Sequence, residues 1–165
     1  METSYQFIIG GIIPANQEAF KKKKVNGVDM YVRKTEKKRL VDFKKIVSEL
    51  MANDVPPTSF PTRNSVYVAI IQFFTSTQND YNTRDVDNMA KTVLDILQQN
   101  NLYIDDSQVR TLLVSKRVDL ERVPQDLGFV YIKILEDGED IETINGALEQ
   151  AMQLYDDLKT GQVEA

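Results

Sequence analysis

The sequence predicts an α+β fold: a single domain with a mixed or antiparallel sheet and helices packed against it, in the order β-α-β-α-β-β-α. Three observations carry this. Stretches rich in β-branched and aromatic residues, at 4–13, 65–74, 109–118 and 128–135, are interleaved with stretches of helical period at 35–51, 86–99 and 141–158. The last two strands follow one another with no helical stretch between them, so the sheet cannot be wholly parallel. The chain has 165 residues and no internal repeat, a length that suits one hydrophobic core.

Residues 4–13 (SYQFIIGGII) read as a strand interrupted by a glycine pair. The polar stretch 14–32 reads as a long exposed loop or ribbon centred on Lys21, Lys22, Lys23 and Lys24. Leu40, Phe43, Val47 and Leu50 then recur at helical spacing, with Thr35 as a candidate N-cap and a basic outer face. Pro56, Pro57 and Pro61 end that helix, because proline lacks the amide a helix interior needs. Residues 65–74 are apolar enough for a central strand, and a polar loop follows to 84. Val86, Met89, Ala90, Val93, Leu94 and Leu97 mark an amphipathic second helix, followed by a turn, two strands and a final helix.

Composition narrows the chemistry. With no cysteine there is no disulfide framework and no thiolate zinc site. With no histidine, the usual general base, the Ser-His and Cys-His nucleophiles and His-ligated zinc or iron are excluded together. Any hydrolysis must use carboxylates, lysine or metal-bound water. The first residues lack the basic start and apolar run of a signal segment, and no stretch approaches bilayer length, so a soluble, cytoplasmic protein is expected. The formal net charge of −5 hides an asymmetry: residues 1–50 hold eleven Lys/Arg against six Asp/Glu, while residues 119–165 hold three against twelve. One half can face phosphates while the other repels them.

Carboxylates concentrate in TRDVDNMAKTVLDILQQNNLYIDDSQV, residues 83–109. Asp85 falls where the second helix should begin and Asp87 lies in its first turn, where acidic residues also serve as ordinary caps. Asp105 and Asp106 also read as a polar turn between helix and strand. Taken together they suggest more, because the chain runs out along the helix and partly back. If Asp106 approaches Asp85, three or four carboxylates share one site, and each like-charge pair at about 4 Å costs on the order of 4 kcal/mol at an effective dielectric near 20. Such a cluster holds a cation or raises its own pKa values. All-oxygen ligation favours Mg²⁺ or Mn²⁺. Lys91 lies four residues after Asp87 and four before Asp95, which suits either a salt-bridge ladder or an ammonium beside a phosphate oxygen.

The stretch DVDNMAKTVLDIL…LYIDDSQV resembles the RusA family of Holliday-junction resolvases, whose pattern is D-x-D-N-x-x-K-x-x-x-D followed by D-D-x-Q-V. The matching residues are Asp85, Asp87, Asn88, Lys91, Asp95, Asp105, Asp106, Gln108 and Val109. The resemblance implies a Mg²⁺-dependent homodimeric endonuclease that resolves four-way junctions in branched DNA by paired nicks during recombination and repair, in a bacterial cell or a phage-infected host. It implies Asp85, Asp87 and Asp106 as metal-binding and catalytic carboxylates, Lys91 as the catalytic lysine, and Asp105 beside the site. Phosphate contacts are expected from Lys21, Lys22, Lys23, Lys24, Arg33, Lys34, Lys37, Lys38 and Arg39, and Tyr81 is a candidate for stacking on an unpaired base. The family's Pro- and Arg-rich segment after the first strand is replaced here by PANQEAFKKKK, and residues 136–165 form an acidic helical extension beyond the usual core. Two other readings stand beside this one. The first is a non-catalytic branched-DNA-binding or partner-binding protein that has kept the fold. The second takes D-x-D as a Mn²⁺ site on a sugar nucleotide, as in glycosyltransferases, for which the chain is short.

Overall fold

The computed structural model describes residues 4–14, 20–33, 38–75, 81–82, 84–119, 128–136 and 141–161, with the backbone alone at 20–23, 25, 31–33 and 141–145. Its elements are β1 (Ser4–Gly10), β2 (Phe20–Val25), β3 (Val28–Arg33), α1 (Lys38–Asn53), β4 (Val66–Phe74), α2 (Val86–Gln99), β5 (Val109–Val118), β6 (Gly128–Glu136) and α3 (Ile141–Lys159). One four-stranded sheet has the order β1-β6-β4-β5, and β2 and β3 form a separate ribbon. β1 and β4 both run antiparallel to β6, and β4 runs parallel to β5. The sheet is therefore mixed, and α2 is the crossover between its two parallel strands.

Within the stretch expected as a loop or ribbon, residues 20–33 form a β-hairpin, which adds two strands to the predicted order. Val25 pairs with Val28 across Asn26 and Gly27, whose φ angles of 51° and 80° give the two positive-φ positions of a type I′ turn. The expected N-cap Thr35 lies outside the described residues.

β4 and β6 occupy the middle of the sheet and are covered on both faces, which explains their nearly continuous apolar sequences. Val68, Ile70 and Phe74 point to one face, where Phe43 and Val47 of α1 and Met89, Val93 and Ile96 of α2 pack on them. Ala69, Ile71 and Phe73 point to the other, where Ala147, Ala151, Tyr155 and Leu158 of α3 close a second core. Tyr155 stacks on Phe73 at 4.2 Å between ring centres, and its hydroxyl donates to Asp119 at 2.8 Å. The acidic C-terminal helix is thus a structural layer of the domain.

Gln72 interrupts the apolar run of β4 without leaving a polar group unpaired. Its Oε1 accepts from the Ile13 amide at 2.9 Å, and its Nε2 donates to the carbonyls of Gly11, Phe73 and Phe129. A Cβ at Gly128 would stand 2.6 Å from the Phe73 oxygen and 2.9 Å from that of Gly11, so this crossing of backbones requires glycine. Among the described residues no helix is long and apolar enough to cross a membrane.

Candidate active site

The acidic motif occupies both ends of the crossover. Asp85 is the N-cap residue of α2 by position, with extended φ and ψ of −84° and 139°, and its carbonyl accepts from the Met89 amide at 3.1 Å. Its side chain makes no capping hydrogen bond, although aspartate at this position commonly does. Asp87 follows in the first turn, and both residues are exposed. The two residues lie at the positive end of the helix dipole. Lys91 is exposed one turn beyond Asp87.

The second acidic pair divides its work. Asp105 caps the 3₁₀ turn Asp106–Gln108, accepting from the Ser107 amide at 2.9 Å, and the Ser107 side chain first, then this amide, hold its pKa below the usual carboxylate value. Gln108 completes a reciprocal cap: its Oε1 accepts from the amides of Asp105 at 2.9 Å and Ile104 at 2.7 Å, while its Nε2 donates to the carbonyls of Thr62 and Asn64. Asp105 is therefore engaged in the turn, and Asp106 is the member turned to other use.

Asp106 Oδ1 accepts from the Tyr103 hydroxyl at 3.3 Å, and the same hydroxyl donates to the Leu94 carbonyl at 2.7 Å. Tyr103 is buried, and burial first, then the charge of Asp106, its hydrogen bond and the charge of Asp95 raise the phenol pKa well above its ordinary value. Tyr103 thus stays protonated and fixes Asp106 at the level of Leu94. Leu94 lies nine positions after Asp85, about 13 Å along the helix axis. Among the described residues no group of three or more Asp and Glu side chains gathers as a metal cage. Asp85 and Asp87 thus lie at the start of α2, while Tyr103 holds Asp106 further along the helix, near Leu94. The hard oxygen donors of Asp85 and Asp87 fit Mg²⁺ or Mn²⁺, and their small number leaves room for water and phosphate ligands.

The basic residues divide similarly. Lys38 and Arg39 are exposed at the start of α1, and Lys24 is exposed near the hairpin tip. Lys21, Lys22 and Lys23 lie on β2 and Arg33 ends β3, while Lys34 and Lys37 lie outside the described residues. Arg39 shares an open cleft of about 350 Å³ with Gly10, Gly11 and Arg84. Arg84 immediately precedes Asp85, and its buried Nε has no hydrogen-bond partner among the described residues. The cleft therefore runs from the basic start of α1 to the acidic start of α2. A family model described as endodeoxyribonuclease RusA matches residues 10–126, more than half of the chain.

The chain belongs to the RusA endodeoxyribonuclease family. It is therefore an endodeoxyribonuclease of the kind that acts on Holliday junctions. The RusA match spans the hairpin, α1, β4, α2 and β5, and ends before β6 and α3. No curated protein matches the chain significantly. Three residues that adjoin the acidic motif in the fold carry less signal in the sequence. Arg84 carried a signal in its place beside Asp85. Tyr103, three residues before Asp106, and Lys116, in β5, carried none, because only the fold brings them to the motif. Tyr81 is half-buried against Phe74, with Lys116 Nζ 4.2 Å from its ring centre, so its ring already has partners in the fold.

Proposed function

We propose that this RusA-family chain resolves four-way DNA junctions by divalent-metal-dependent hydrolysis in recombination and repair, with Asp85 and Asp87 as the primary cation ligands. The observation that supports this most directly is the Asp85 carboxylate, placed at the α2 N-terminus beside Asp87 yet unused in capping. Bound there, Mg²⁺ or Mn²⁺ would polarise the scissile phosphate and activate a water, chemistry that a chain without histidine needs. Lys91 sets a positive charge one turn away, where it offsets charge developing on the phosphate or leaving oxygen. Arg84 and Arg39 line the cleft that leads to this point and hold the DNA backbone on its way in.

A homodimer suits both the geometry and the task. Tyr103 keeps Asp106 away from the Asp85–Asp87 pair of its own protomer, so the carboxylate is available to the pair of a second copy. Paired nicks on a symmetric junction also call for two sites related by a two-fold axis.

The test is cleavage of a labelled four-way junction and a matched linear duplex, with and without Mg²⁺, by the wild type and Asp87→Asn. Cleavage confined to the junction, dependent on Mg²⁺ and abolished in Asp87→Asn while junction binding persists, is the expected result. Full activity in Asp87→Asn would remove the metal mechanism, and junction binding without cleavage by the wild type would favour a non-catalytic binding protein.

A further inference from the structure

Lys116 makes contacts that neither the acidic motif nor the basic face accounts for. It lies in β5, opposite Gln72 in the parallel register with β4, and is half-buried. Its Nζ donates to the carbonyl oxygen of Tyr81 at 2.7 Å and to that of Arg84 at 2.6 Å. The same ammonium lies 4.2 Å from the centre of the Tyr81 ring, which meets Phe74 edge-on at 5.7 Å. One cation thus joins the edge strand of the sheet to two carbonyls, three residues apart, on the segment entering α2.

The second of those carbonyls belongs to the peptide whose amide is that of Asp85. A peptide unit is planar, so holding the Arg84 oxygen fixes the whole unit and leaves Asp85 only its own torsions. On the other side, the Asp85 carbonyl is held by the Met89 amide at 3.1 Å, the first bond of the helix. The backbone of Asp85 is gripped from both sides while its carboxylate makes no capping bond.

We infer that Lys116 is a positioning residue for junction cleavage: by clamping the Tyr81 and Arg84 carbonyls it sets the Asp85 carboxylate for its cation. The inference rests on the reading of Asp85 as a metal-binding carboxylate. Lysine suits the role because its three donors radiate from a point charge and reach two carbonyls and an aromatic face together. The planar fork of arginine has a different geometry, and a neutral side chain would give up the shorter, stronger bonds of a charged donor.

The test compares the full-length wild type with Lys116→Met, which keeps the apolar stem, and Lys116→Arg, which keeps the charge. Three quantities are measured: amide hydrogen exchange at residues 89–92, the first hydrogen-bonded amides of α2, without metal, junction Kd, and cleavage rate across a range of Mg²⁺ concentrations. Both variants should exchange faster at 89–92 while the amides of β4 and β6 keep their protection. Junction Kd should stay within about twofold while cleavage falls about tenfold to a hundredfold and half-saturating Mg²⁺ rises, since a misplacement of about 1 Å can cost about a hundredfold. Faster exchange across the whole sheet, or cleavage falling only with the folded fraction at unchanged Mg²⁺ dependence, would make Lys116 an ordinary structural lysine and overturn the inference. If Lys116→Met does not fold, Lys116→Arg decides alone, and wild-type cleavage and Mg²⁺ dependence in that variant overturn it. Retained cleavage in Asp85→Asn would instead overturn the reading of Asp85, while exchange at 89–92 in the Lys116 variants would still show whether the clamp exists.

Discussion

Gln108 does as much for the acidic turn as either aspartate beside it. Its amide group makes four hydrogen bonds, two accepted within its own turn and two donated to the segment that follows α1. It thereby ties the start of β5 to a loop more than forty residues earlier. Gln108→Ala should lower stability by about 1–3 kcal/mol, because it leaves backbone groups of two segments without partners. The urea midpoint checks this, and an unchanged midpoint would mean that water replaces the amide without loss. Asp105 carries the turn's pH response: its pKa is lowered by the Ser107 side chain and then its amide, so this stabilisation is present above the ordinary aspartate range and fades as pH falls through the folded value.

The β2–β3 hairpin is the element where charge and exposure coincide. It forms its own two-stranded sheet, carries four consecutive lysines, and exposes Val28 and Met30 by its turn. The ribbon pairs only with itself, through its backbone ladder and its turn, and neutralising a lysine removes no backbone hydrogen bond. Neutralising Lys21–Lys24 should therefore weaken binding to junction and duplex alike while leaving the melting temperature unchanged. The slope of log affinity against log salt should flatten by about 0.9 for each phosphate that the variant no longer neutralises on B-form arms. If affinity and slope both persist, the DNA backbone is held elsewhere, and the Arg39–Arg84 cleft becomes the first alternative. The acidic α3 stands in contrast, since its buried residues close the second core of the sheet.

At the scale of the molecule, stability and assembly give separate tests. Burial raises the phenols of Tyr5 and Tyr131 to about 12, with the charge of Asp54 adding to the effect on Tyr5. Each is held protonated more tightly in the folded chain than in the unfolded one, where tyrosine titrates near 10. Their contribution is complete below about pH 10 and declines as pH rises toward 12, because the unfolded state then binds fewer protons. Urea midpoints should fall steadily between pH 10 and 12, and a flat profile would contradict the burial of these hydroxyls. For assembly, light scattering at micromolar concentration should report a dimer. A monomer that cleaves junctions at the full rate would contradict both the paired-site reading and the proposed use of Asp106 by a second copy.

The sequence by itself determined the order and type of the main-sheet elements, because strands covered on one or both faces and helices with one apolar stripe leave different periods in the chain. The bounds of α2 and β5 follow from Val86, Met89, Val93 and Leu97 and from the β-branched run after Gln108. The hairpin was legible in principle from Asn26-Gly27, but its lysines mask the alternation that normally marks a strand. The acidic motif was legible because its spacing is local and its residue types are specific. Tertiary structure alone decided where Asp106 is held, since that depends on Tyr103 reaching back to Leu94. It alone also brought Lys116 to the peptide before Asp85, across 32 residues, through the parallel pairing of β4 and β5 around α2. Periodicity records which face of an element is buried, whereas such meetings depend on how whole elements are placed against one another.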